Sequence, residues 1–229
     1  MSSLFTLADS PALDDLQVYL SRAARVEEGS VRLIAGGGVL AVYTAILYPA
    51  GLLDESPTVL GLRTVALAKT DDKHTAFDAV VPIRSLLQRL ERAQTQRLDT
   101  PEAPVTISLP IEVNTVTWAA ISPPKGGWLA LDGTNDAILD AAARNGIDEV
   151  STAVPEGAGE QIVRKVRSEI WGRPIAGLEH VPAGAGFAAL SLGFLGDETV
   201  RIYETGPWTR LTTERGHVLV KRKAWTLSR

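Results

Sequence analysis

Gly36-Gly37-Gly38-Val39-Leu40-Ala41 matches the pattern G-x-G-x-x-A, in which glycines let backbone N–H groups approach a dinucleotide pyrophosphate at a helix start. Ala189-Leu190-Ser191-Leu192-Gly193 has the outline of a nucleophile elbow, with a serine set on a sharp strand-to-helix turn. Asp71, Asp72, His74 and Asp78 are the densest group of potential metal ligands, an oxygen-rich set suited to magnesium or manganese. Glu179-His180 has the composition of half an acid–base pair.

Each pattern meets a plainer reading in its context. For a dinucleotide site, Val39 to Tyr48 would have to be the crossover helix, yet it is a short run of β-formers ended by Pro49. A glycine hairpin turn is expected instead. Ser191 lies in an apolar run, and only 36 residues follow Gly193, with His217 as the single downstream histidine. The Asp/His group sits in a polar, Lys-flanked stretch without a second histidine nearby and reads as a solvated turn. A lone histidine at a turn, as at His180, is usually structural. No catalytic, cofactor-binding or metal-binding residue is therefore assigned. The sequence contains no cysteine, which removes disulfides, thiolate catalysis and Cys-ligated metal.

Trp118, Trp128, Trp171 and Trp208 each lie beside a Gly/Pro turn or a strand end, where large aromatics can wall a groove, anchor a partner or plug a core. Trp118, Trp128, Trp208 and Arg210 are the candidate partner or ligand contacts. Trp118 and Trp128 are expected to meet across a hairpin, and Trp208, in Thr205-Gly206-Pro207-Trp208, to be accessible. Nucleic acid is not expected: the net charge is −4, and from Asp136 to Arg173 five basic residues face seven acidic ones despite Arg164, Lys165 and Arg167. Lys221-Arg222-Lys223 is a small basic tip.

The elements that must position these groups follow from periodicity. Leu33 to Leu53 is a tract of 21 residues without a charge, long enough to cross a bilayer as a helix. Gly36, Gly37, Gly38, Pro49 and Gly51 break it, so buried β-structure is expected and a membrane span is not. A helix is expected from Ser10-Pro11 to about Arg25, then strands over 31–35, 39–48, 58–68 and 77–81. Ile83, Leu86, Leu87 and Leu90 mark an amphipathic helix. Strands are expected over 105–109, 113–121 and 128–131. A helix capped at Thr134 or Asn135 should end at Asn145-Gly146, followed by a short turn over 147–153 and a helix over 160–171. Residues 183–195 favour helix over strand, and 200–204, 208–213 and 217–221 form a meander. Helix followed by three strands thus recurs at 12–68, 83–131 and 183–222, a pseudo-repeat without residue identity.

The expected fold is α+β, with largely antiparallel sheets, flanking helices and possible helix-plus-three-strand repeats. Two sub-domains are expected, 1–98 and 104–229, the second with a helical segment at about 135–172, joined by a proline-bearing linker. The functional reading is a non-catalytic protein-interaction or self-association module without a cofactor. One alternative is an enzyme or small-molecule binder assembled from Asp71, Asp72, His74, Glu179 and His180; another is a winged-helix nucleic-acid binder. The first fifteen residues carry neither a basic region nor an apolar run of signal length, so the cytoplasm is the expected location.

Overall fold

The computed structural model describes residues 4–49, 51, 54, 56–69, 76–96, 100–114 and 116–222. Strand β1 (Leu4–Leu7) leads into helix α1 (Ser10–Val26). The N-cap is Asp9, whose carboxylate accepts the Ala12 backbone N–H at 2.8 Å, with Pro11 in the first turn where its missing donor costs nothing. Leu13, Leu16, Leu20 and Ala23 are buried, a spacing that puts them on one face.

A meander follows: β2 (Ser30–Gly36), β3 (Val39–Leu47) and β4 (Thr58–Ala66). Gly37 and Gly38, with φ of 60° and 78°, make the two-residue turn that joins β2 to β3. Both positions are left-handed, which a side chain would resist. The glycine motif is therefore a hairpin, and the apolar tract after it is a strand that buries Leu40 and Val42. Among the described residues no helix is long and apolar enough to cross a membrane.

Strand β5 (Phe77–Pro82) runs directly into α2 (Ile83–Gln96), which buries Ile83, Leu86 and Leu90. Strand β6 (Val105–Ser108) then pairs antiparallel with β1. The strand expected over 113–121 is absent among the described residues. Val113 N–H donates to the Val80 carbonyl at 2.8 Å, and Thr117–Ala120 is a single 3-10 turn that buries Trp118. The segment is tied by side chain rather than ladder: Arg32 Nη1 donates to the Ala119 carbonyl at 2.7 Å, while Nε and Nη2 fork onto Asp78 at 2.8 and 2.6 Å. β-Branched composition suggested a ladder, but a tertiary anchor took the backbone acceptor.

Strand β7 (Leu129–Asn135) feeds α3 (Asp136–Ala153), capped by the Asn135 side chain accepting the Ala137 N–H at 2.7 Å. The helix does not stop at Gly146, so the separate turn over 147–153 is corrected to a continuation of α3. Gly146 is there for space: a Cβ on it would lie 2.2 Å from the Trp171 ring. Helix α4 (Glu160–Gly172), the short strands β8 (Pro174–Ile175) and β9 (Leu178–Pro182) and helix α5 (Ala183–Leu192) come next. Helix α5 carries no charge, is apolar on all sides and buries Ala185, Ala188, Ala189 and Leu192, as befits a central helix. Ser191 lies inside it, so there is no nucleophile elbow. Strands β10 (Thr199–Thr205), β11 (Trp208–Thr212) and β12 (His217–Lys221) close the fold.

The chain divides into two compact units, Met1–Thr44 with Leu62–Ala120 and Ala45–Gly61 with Ile121–Arg229. The first has strand order β5-β2-β3-β4, and α1 packs on α2. The second has strand order β4-β12-β11-β10-β7, and α3 packs on α5. The fold is α+β, with antiparallel sheets flanked by helices in repeated units. β1-α1-β2-β3-β4 and β9-α5-β10-β11-β12 share one element order, and each lays its last three strands side by side in chain order. The middle candidate, 83–131, does not follow them, because β6 leaves to pair with β1 and no meander succeeds it.

The α3–α5 contact is backbone against backbone: a Cβ at Gly186 would stand 2.7 Å from the Leu139 carbonyl oxygen. Gly186→Ala is expected to lower stability by about 1–3 kcal/mol, despite alanine's better helix propensity, because the obstacle is main chain and cannot turn aside. Urea unfolding checks this against Gly36→Ala. At Gly36 nothing lies within 4 Å, and a change of no more than about 0.5 kcal/mol is expected.

Candidate partner-binding site

Two places in the second unit gather the residues nominated from sequence. The first surrounds His180. Pro174 and Pro182 bracket the β8–β9 hairpin, where neither ring nitrogen can donate a ladder bond. Beside it opens a cavity of about 220 Å³ lined by Pro57, Gly172, Pro174, His180, Val220 and Arg222. Glu179, also on its wall, is occupied in part by the Gly177 N–H at 3.2 Å. Arg222 Nη2 lies 3.1 Å from Glu204 Oε1 and 3.3 Å from the Gly206 carbonyl. Two nitrogens stand out: His180 Nε2 and Arg222 Nε are buried and make no hydrogen bond among the described residues. A buried polar atom left unpaired costs about 1–3 kcal/mol, so most native structures avoid it.

The second place is the outer face of β10–β11–β12. Cross-strand pairing sets Tyr203 beside Arg210 and Leu219, and Arg201 beside Thr212 and His217. The Arg210 guanidinium lies 4.6 Å from the Trp128 ring and 4.5 Å from the Tyr203 ring, with an aromatic face toward it from each. Each such cation–π contact contributes about 0.5–1 kcal/mol near a surface. Trp128 is itself held by its indole N–H donating to the Pro124 carbonyl at 3.1 Å. Burial pulls the Arg210 guanidinium below its ordinary range, Tyr203 acts the other way, and Arg201 adds to the lowering. His217 is pushed down to about 4, first by burial and then by the charges of Arg210 and Arg201, while its Nδ1 shares a hydrogen bond of 3.1 Å with Thr212 Oγ1. It is neutral at physiological pH.

Sequence reasoning therefore found Trp128 and Arg210 but not their partners Tyr203 and Arg201. Strand alternation would have shown these once the β10–β11 register was known. Trp208 is corrected: it is 4% exposed, because the tight turn at Gly206 makes it the first residue of an interior strand, between Thr205 and Lys221. Trp118 is buried in its 3-10 turn, and β7 pairs with β10, so no hairpin joins Trp118 to Trp128. Trp171 belongs to the core. Asp71, Asp72 and His74 lie outside the described residues, as does Lys223; Asp78 is engaged by Arg32. Among the described residues no group of three or more His, Cys, Asp or Glu side chains is placed to hold a metal ion.

No curated protein matches the sequence. Among solved structures, the DNA polymerase III subunit beta of Pseudomonas aeruginosa is 14% identical, with a TM-score of 0.49 over 99% of this chain and 66% of that one. The pol III beta of Caulobacter crescentus is 13% identical, with a TM-score of 0.49 over 97% of this chain and 66% of that one. The sliding clamp of Bartonella birtlesii is 13% identical, with a TM-score of 0.49 over 100% of this chain and 67% of that one. The chain spans about two thirds of the length of these proteins. All three are named as DNA polymerase III beta subunits, and the expectation that set nucleic acid aside is withdrawn. That expectation rested on charge summed over long stretches of chain. Family models described as domains of unknown function match residues 1–109 (DUF8010) and 123–225 (DUF8185).

Proposed function

We propose that the chain is a non-catalytic module that works by holding a protein partner, or a second copy of itself, in the cavity beside His180 and Arg222. One observation carries this reading: His180 and Arg222, each with a buried nitrogen that makes no hydrogen bond among the described residues, line a cavity whose other walls are proline, glycine, valine and Glu179. An occupant with an acceptor for the Arg222 Nε–H and a partner for His180 Nε2 would recover what both atoms lose on burial. The proline-rich wall is stiff, so little ordering cost opposes binding. A cytoplasmic location is part of the proposal and is read by cell fractionation.

The test uses the tagged full chain in extract of its native cells, with captured proteins quantified by mass spectrometry and oligomeric mass by light scattering. His180→Ala removes one unpaired atom. Arg222→Lys keeps the charge opposite Glu204 but removes the Nε–H. Each is expected to reduce capture of a defined partner about tenfold, or to return a self-associated form toward the monomer. Both variants retaining wild-type capture and wild-type mass would refute the cavity as the point of contact.

A further inference from the structure

We infer that Arg210, held over the rings of Trp128 and Tyr203 and seconded by Arg201, receives carboxylate side chains from an extended acidic segment of a protein partner that lies along β7. The inference rests on the chain being a protein-binding module, but on residues separate from the His180 cavity.

The Arg210 guanidinium carbon lies over the Trp128 and Tyr203 rings, contacts that leave its N–H donors unspent. Among the described residues these donors have no carboxylate or carbonyl partner, and the Nε is buried unpaired. Arg201, one row away on the same sheet face and exposed, has no ion pair among the described residues either. A guanidinium held against two rings can offer a carboxylate two parallel hydrogen bonds.

Strand β7 shows where the carboxylate comes from. Among the described residues it stands at the end of the strand order with β10 as its one neighbour, and residues 129–133 are exposed. Leu129 is 72% exposed and Leu131 40%, on the sheet face shared with Glu204 and Ile202, while Ala130 shares the opposite face with Tyr203. A short strand added beside Leu129–Leu131 would place alternate side chains on the two faces. One set would cover the leucines. The other would stand on the Arg210 face, three strand spacings or about 14 Å from β11, in a row that also holds Ala130 of β7 and Tyr203 of β10, across which the Arg210 side chain reaches toward Trp128.

Charge selects the occupant. Two unpaired arginines suit one or two carboxylates, whereas a nucleic-acid backbone asks for a track of cations. Asp132, exposed in the bulge opposite Arg201, would repel a long polyanion and limits pairing to the first residues of β7.

The probe is the capped pentapeptide Val-Glu-Val-Asp-Val, compared with Val-Gln-Val-Asn-Val, titrated into the full chain by calorimetry. The acidic peptide is expected to bind at least about tenfold more tightly than its amide analogue, Arg210→Gln to lose about tenfold, and Arg201→Gln about threefold. Arg210→Lys should not restore affinity, because an ammonium neither stacks nor forks. His180→Ala should bind the peptide like wild type, which separates a failure here from a failure of the cavity. If Arg210→Gln does not fold, the peptide pair and Arg201→Gln decide. Equal binding of both peptides, wild-type affinity in Arg201→Gln, or tighter binding of oligothymidylate that needs the same arginines would overturn the inference.

Discussion

Trp171→Ala is expected to destabilise the protein by about 3–5 kcal/mol, the range for deleting a fully buried large aromatic. Trp171 is 2% exposed, stacks on Phe187 with ring centroids 4.4 Å apart, and fills the space above Gly146 on α3. Its removal leaves a cavity between three helices that their backbones cannot close. The residue also has a diagnostic coupling. Gly146→Ala alone forces a methyl to within 2.2 Å of the indole and should be strongly destabilising. In the Trp171→Ala background the same methyl enters vacated space and should cost little or even stabilise. Urea unfolding of the four proteins in the double-mutant cycle measures this; additive effects would mean that the ring does not sit on Gly146.

A second large effect is a loss of stability in mild acid. His217 titrates near 4 in the folded chain and near 6.5 when unfolded, so between these values the unfolded state binds more protons. Stability from this group is fully present above about pH 6.5 and is lost as pH falls toward 4. Allowing for partial solvent screening, the loss is about 2–3 kcal/mol. Carboxylates also titrate near the lower end, so the measurement is a difference: unfolding free energy against pH for wild type and for His217→Gln. The wild type should fall more steeply across the window, and Arg210→Gln should flatten part of that fall by removing one of the two charges that oppose protonation. Parallel curves for wild type and His217→Gln would show that the imidazole is not buried as a neutral ring.

Much of the fold was legible because local physics and tertiary structure agreed. Ser10 to Arg25, Ile83 to Leu90 and Glu160 to Trp171 announce helices by the spacing of their apolar residues, and all three are helices. The glycine turn at 36–38 and the strand after it followed from backbone freedom and β-branched composition. Disagreement arose where a distant residue outweighed the local signal. Gly146 reads as a helix terminator because glycine suits the left-handed position after a helix, yet it continues α3 because Trp171 needs the room. Residues 113–121 read as a strand, yet their anchors are Arg32 and Val80, about ninety and about thirty positions away along the chain.

The candidate sites show the same division. Trp128 and Arg210 were nominated from sequence as contacts, and Glu179 and His180 only in the alternative reading, since a lone histidine at a turn is usually structural. Their partners Val220, Arg222, Tyr203 and Arg201 were not nominated, because they come from neighbouring strands whose register depends on long-range pairing. What this sequence determined unaided is the kind of each segment, its buried face and the lack of any cysteine chemistry, all properties that depend on neighbours within a few residues. What only the tertiary structure decided is that Trp208 is interior, that no hairpin joins Trp118 to Trp128, and that an arginine lies over two rings. Those outcomes depend on which strands lie side by side, and strand pairing is set by packing summed over the whole unit.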